Sequence, residues 1–145
     1  MSLDGQRCYL DANAFIYYAE LHPVLGAPVQ AILERSVAGK LTVVTSELTL
    51  AEVLVLPFKL DEKAQIAGYE QLLQDRTGFE LIPVSRKILL ESAKLRAATG
   101  CKLPDAIHVA TAQSANCTCL VTEDQRMRAT GSMHVVRISE LAQQP

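Results

Sequence analysis

No stretch of this chain is apolar for the roughly 20 residues that a bilayer-spanning helix needs, so a membrane-embedded role is not expected. The opening residues, Met1 to Arg7, lack the basic segment followed by an apolar run that marks a secretory leader, and the expected compartment is the cytoplasm. Cysteine is scarce and unpatterned: Cys8, Cys101, Cys117 and Cys119 contain no C-x-x-C. Cys117 and Cys119 would share one face of a strand, but no second pair follows to complete a zinc site. Reduced, mostly buried thiols are expected. A G-x-S-x-G nucleophile turn is missing, as is the G-x-x-x-x-G-K-[ST] loop for nucleotide phosphates. No Gly-rich turn follows the first predicted strand, so a dinucleotide fold is unsupported. Linkers, repeats and low-complexity segments are also missing, and residues 1–145 read as a single domain.

What is present fits an ordinary globular domain. The chain has 145 residues, 49% of them hydrophobic and 21% charged, and a chain this long buries roughly 70% of its unfolded surface. The net charge of −2 is not that of a strongly basic nucleic-acid binder. Its distribution is uneven: residues 1–84 carry a net of −5 and residues 85–137 a net of +4. A basic half can attract phosphate, although an evenly solvated surface accounts for the same counts.

Apolar and polar spacing predicts strands that alternate with helices. Cys8 to Leu10 is a short strand, Asp11-Ala12-Asn13 a turn, and Ala14 to Leu21 a helix. A second helix is expected from Ala27-Pro28 to Gly39, and the β-branched run from Leu41 to Thr45 is a buried strand. Ser46 is placed to cap a helix through Leu56, which Pro57 should close. A polar-faced helix over 61–76, a strand at 79–82 and a helix reaching Thr99 before Gly100 follow. Then come a helix from Pro104 to Ala115, strands at 118–122 and 134–137, and a short final helix. Such an order predicts an α/β chain with a mainly parallel sheet covered on both faces. Ligands of such sheets gather at the carboxyl ends of the strands, and Asp11 and Asp124 both fall just after a strand.

Four carboxylates stand out. Glu52 is the only charged side chain between Leu48 and Phe58. Helical spacing sets it on a stripe with Leu48, Ala51, Val55 and Leu56, which is expected to be the buried one. A charge there is costly unless it is paired or coordinates a metal, or unless it reaches past its neighbours to solvent. Asp11 alone reads as a helix cap, a role Asn13 could also fill. Asp105 suits the positive end of its helix, whose next residues, Ala106 to Ala112, are small and apolar. Asp124 can cap the turn Gln125-Arg126-Met127. His108, three residues beyond Asp105, reads as a hydrogen-bonded packing histidine rather than a ligand or base. Asn13 stands where an aspartyl-nucleophile phosphatase would want a second Asp. Together the acids suit a hard divalent cation, which takes oxygen ligands and can drive phosphodiester hydrolysis. Their mutual repulsion should raise at least one pKa in the empty site.

The same residues resemble a known family. Residues 8–17 resemble the opening strand of PIN domains, and Thr45 to Leu54 resembles the second motif, with Glu52 as its acid. Leu103 to Ala112 resembles the third motif and Leu120 to Asp124 the fourth, all in order along nearly the whole chain. The resemblance implies a three-layer α/β/α sandwich and an acidic Mg²⁺ or Mn²⁺ site. It implies an endoribonuclease leaving a 3′-hydroxyl and a 5′-phosphate, with Asp11, Glu52, Asp105 and Asp124 as metal-site acids. Asn13 and Thr122 would orient them. Single PIN domains of this length resemble VapC toxins, which implies an RNA substrate, a homodimer and a small antitoxin as partner. Arg86, Lys87, Lys94, Arg96 and Lys102 are candidate phosphate contacts, or simply a solvated helix face. Two other readings remain: a non-catalytic PIN-like module binding RNA or protein, and an RNA-processing nuclease without an antitoxin.

Overall fold

Short β-branched runs separated by helices leave each strand only parallel neighbours, because every return must cross over the sheet. A computed structural model describes residues 2–128 and 131–143. Its strands are β1 (Arg7–Leu10), β2 (Thr42–Ser46), β3 (Phe79–Ile82), β4 (Cys119–Thr122) and β5 (His134–Arg137). They form one sheet in the order β3-β2-β1-β4-β5, and every neighbouring pair is parallel. The chain builds outward from β1 to β3, then crosses back to lay β4 on the other side of β1. That reversal opens a crevice beyond the carboxyl ends of β1 and β4, where ligands of such sheets bind.

The helices are α1 (Ala12–Ala19), α2 (Gly26–Val37), α3 (Glu47–Lys59), α4 (Lys63–Leu72), α5 (Arg86–Thr99), α6 (Leu103–Ser114) and α7 (Ile138–Ala142). Alternation along β1 sends Cys8 and Leu10 to one face and Tyr9 to the other. The first face packs with Phe15, Val29, Val53, Tyr69 and Ile138, drawn from α1, α2, α3, α4 and α7. Phe15 meets Phe79 edge-on at 6.0 Å. On the second face Tyr9, Val44 and Leu120 pack with Val109 and Ala112 of α6, while Ile88 of α5 packs on Ile107 and Ala110. The result is the three-layer α/β/α sandwich.

Three local expectations are corrected. Pro57 does not close α3, which runs on to Lys59 with the proline inside its last turn. The proline cannot donate to the Val53 carbonyl, but the turn after it still closes, because Leu60 and Glu62 donate to the carbonyls of Leu56 and Pro57. The helix expected over 61–76 is shorter at both ends. Asp61 adopts a left-handed backbone, and Asp75 accepts the Leu81 N–H at 2.7 Å to pin the loop before β3. Finally, Cys117 and Cys119 do not share a face. Cys117 precedes β4, so strand alternation does not reach it, and it packs beside Tyr9 while Cys119 packs beside Cys8. All four cysteines are free, and Cys8, Cys117 and Cys119 are buried.

Candidate active site

β1 ends at the acid that begins the site. Asp11 is 4% exposed. Its Oδ1 accepts the Ala14 N–H at 3.2 Å and so caps α1, and its Oδ2 accepts the Thr122 hydroxyl at 2.6 Å. The cap reading and the site reading of Asp11 therefore coexist in one side chain. Thr122, the last residue of β4, also accepts the Asp124 N–H at 3.1 Å. One buried hydroxyl thus fixes the carboxylate after β1 relative to the backbone after β4.

Glu52 arrives from α3, whose N-terminus is capped by Ser46 Oγ accepting the Leu48 N–H at 3.0 Å. The stripe expected to bury Glu52 is not the buried one. The side toward the sheet carries Thr49, Val53, Leu54 and Pro57, whereas Ala51 is exposed and Val55 and Leu56 stand 56% and 52% exposed. The helix is apolar nearly all round, so periodicity alone could not choose a face. A hydrogen bond of 2.8 Å between Thr49 and Thr45 lets a polar residue take the inner side. Glu52 lies between these faces, half-buried at the crevice.

Its carboxylate is gripped from α6. His108 Nε2 lies 2.6 Å from Glu52 Oε1, and His108 Nδ1 lies 2.6 Å from the Tyr9 hydroxyl. Burial, and then the charge of Asp11, push the Tyr9 phenol well above its ordinary pKa, so it remains a donor. The Glu52 carboxylate can only accept, so Nε2 carries the proton toward it, and Nδ1 of the neutral ring is left to accept from Tyr9. His108 is the hydrogen-bonded packing histidine that was expected, and the residue it holds is a site acid. The i, i+3 spacing places His108 on the face of α6 that carries Asp105, but nothing local in the sequence signals its link to Glu52, 56 positions away.

Asp105 lies in the first turn of α6 and Asp124 in the loop after β4. Burial raises the Asp105 carboxyl above its ordinary value, and the charges of Asp124 and Glu52 push the same way. Burial likewise raises Asp11, against the opposing hydrogen bond from Thr122. Burial also acts on Asp124, but the Arg126 backbone N–H at 2.9 Å and its guanidinium at 3.3 Å hold that carboxyl below its ordinary value. Glu123, the neighbouring acid, turns away to accept the N–H and hydroxyl of Ser139 at 2.8 and 2.7 Å. Its role is to fasten α7.

Asp11, Glu52, Asp105 and Asp124 line one cavity of about 180 Å³, together with Asn13, His108 and Met127. Four segments distant in the chain thus deliver carboxylates to one spot at the switch point of the sheet. Among the described residues, no three acidic, His or Cys side chains stand close enough, as placed, to ligate one ion. Asp124 is turned to Arg126 and Glu52 to His108. In donor type and location the set nevertheless fits a hard divalent cation.

The basic candidates separate. Arg86, Lys87, Lys94 and Arg96 are exposed along α5, with Lys94 paired to Glu91 at 3.3 Å. Lys102 instead lines a second cavity that adjoins the acids, as do Arg126 and Arg128, which the sequence did not single out. No helix among the described residues is long and apolar enough to cross a membrane.

A parallel sheet with a switch-point cavity of carboxylates defines an α/β protein with an acidic site. The family model for the PIN domain matches residues 8–132, and the chain belongs to that family. No curated protein matches it. Among solved structures it is similar to a toxin–antitoxin complex from Klebsiella pneumoniae, with 27% identity, 83% of this chain and 88% of that chain covered, and a TM-score of 0.63. VapBC2 from Rickettsia felis, bound to a DNA fragment from its promoter, aligns at 21% identity over 90% of this chain and 98% of its own, with a TM-score of 0.68. VapC20 of Mycobacterium tuberculosis, a Sarcin-Ricin loop cleaving toxin, has the same fold at 13% identity, 78% and 86% coverage and a TM-score of 0.62.

Proposed function

We propose that this chain is a metal-dependent endoribonuclease and the toxin of a toxin–antitoxin pair, acting in the cytoplasm. The observation that carries the reading is the convergence of Asp11, Glu52, Asp105 and Asp124 on one cavity at the carboxyl ends of β1 and β4. Family membership and the toxin–antitoxin similarity support it. These four acids would hold Mg²⁺ or Mn²⁺. Such an ion, when bound, supplies Lewis acidity and a water nucleophile at neutral pH. The chain's own residues do the rest. Thr122 fixes the Asp11 carboxylate with a buried hydrogen bond, and His108, held by Tyr9, points a proton at one oxygen of Glu52. Asn13 lines the same cavity and is placed to orient substrate or water. Asp11 and Asp105, both carboxyls raised by burial, are the acids that hold a proton more readily than a free aspartate in the metal-free protein.

The test is cleavage of total RNA with Mn²⁺ or with EDTA, with Asp11→Asn and Glu52→Gln alongside. The wild type should cut only with metal and leave 5′-phosphates, and each variant should lose about 10²-fold or more of the rate. Equal activity in all three proteins eliminates the site. A partner antitoxin is expected from a small reading frame immediately upstream, and the toxin itself is expected to be a homodimer. A second reading, a PIN-like module that binds RNA or protein without cutting, is favoured by the Arg126–Asp124 pair. A titration in which divalent ions change neither stability nor activity would select it.

A further inference from the structure

We propose that the cavity between the α5–α6 corner and the loop after β4 is a subsite for one nucleotide of single-stranded RNA, next to the phosphate that is cut. The inference rests on the nuclease reading and names where its substrate lies. The cavity encloses about 420 Å³, within the roughly 300–1,000 Å³ of small-ligand sites. Asp105 and Met127 line both this cavity and the acidic one, so the two abut across those residues.

Its chemistry is divided as a nucleotide is. Leu95 of α5, Val109 of α6 and Met127 give it an apolar floor, while Lys102, Arg126 and Arg128 give it a cationic rim. Arg126 is paired with Asp124 at 3.3 Å, and among lining residues only Asp105, which belongs to the neighbouring site, opposes Lys102 and Arg128. Lys102 has no ion-pair partner among the described residues. An unpaired base can lie on aliphatic and thioether surface while its flanking phosphate meets the rim. The Thr99 hydroxyl, the uncharged polar side chain of the lining, already donates to the Leu95 carbonyl at 2.8 Å. The floor therefore selects by fit rather than by hydrogen bonds, a mode that discriminates by roughly 10–200-fold.

Cys101 makes the subsite readable, because it lines the cavity half-exposed while the other three cysteines are buried. The experiment measures Cys101 alkylation by N-ethylmaleimide, by mass spectrometry, with and without a single-stranded RNA pentamer in EDTA. Pentamer binding is followed separately by fluorescence anisotropy. Bound pentamer should slow alkylation about tenfold or more. Cys101→Trp, which fills the cavity, should raise KM for cleavage more than it lowers kcat and change which sites are cut. Should Cys101→Trp fold poorly, the exposed pair Lys102→Ala and Arg128→Ala serves instead. Each should weaken pentamer binding and lower its salt slope by about one. A pentamer that binds, in a protein that cuts RNA, without protecting Cys101 overturns the subsite and leaves the nuclease standing. Unchanged KM and cut sites in the filled variant do the same. A wild type that neither binds nor cuts RNA overturns both.

Discussion

At the residue scale the site depends on a few buried hydrogen bonds. The Thr122 hydroxyl donates to Asp11 and accepts from the Asp124 backbone, so it serves two acids at once. Thr122→Val keeps the shape and deletes both bonds. Partners of this kind typically contribute 10–100-fold to metal affinity, and a loss of that size is expected for Mn²⁺ by isothermal titration. Asp105 makes a prediction of opposite sign. Its raised carboxyl means that the folded protein holds the proton more firmly than the unfolded chain does. The associated stability is full below the ordinary value of 3.8 and is lost as pH rises through the folded pKa. At neutral pH and without metal the charge is a net cost. Asp105→Asn should therefore melt higher in EDTA at pH 7, by roughly 1–2 °C, which about half a kcal/mol does in a domain of this size. The gain should vanish below pH 3.8 and reverse when Mn²⁺ is added; calorimetry across pH checks it.

At the element scale, the residues that end helices and strands decide where the acids stand. Ser46 and Ser85 cap α3 and α5, and Gly100 ends α5 with φ at 73°. The Ser46 cap and the Gly100 stop were plain in the sequence because caps and glycine stops are local. Gly78 carries a similar positive φ of 82°, but a Cβ there would run into the Ser36 carbonyl, whereas one at Gly100 would meet nothing within 4 Å. Gly100→Ala should cost about 1–2 kcal/mol, the conformational penalty alone. Gly78→Ala should cost clearly more, since α2 or β3 must also shift. Urea denaturation of the two variants separates the terms. Less legible was the inner face of α3. Leucine and valine lie on both its sides, and the choice was made by the Thr45–Thr49 bond and by packing across the sheet. Asp11, Asp105 and Asp124 were readable from strand ends and a helix start, and Glu52 as the lone charge in an apolar helix. Their companions were not: the grip of His108 and Tyr9 on Glu52 joins residues 99 and 56 positions apart.

At the scale of the whole molecule, surface composition points to assembly. Val55, Leu56, Phe58 and Leu60 are each more than half exposed along the end of α3, a density beyond the scattered apolar residues of ordinary surfaces. In the homodimer proposed above, this face is the natural place for a second copy. Sedimentation equilibrium should show a dimer for the wild type and a shift toward monomer, by tenfold or more in dissociation constant, for Phe58→Asp. An unchanged mass would remove α3 from the interface.

The fastening of α7 carries one more consequence. Glu123 grips Ser139, and Arg137 donates to the backbone carbonyls of Asp124 and Gln125. The peptide flanking the fourth acid is thus clasped on both sides, by the last residue of β5 and by α7. Proteolytic nicking after Arg137, or a bulky purification handle grafted at α7, would slacken that clasp and let Asp124 wander. Catalytic loss after such a manipulation would then be a matter of misplaced geometry, repairable by restoring the helix, with every acid still in the chain.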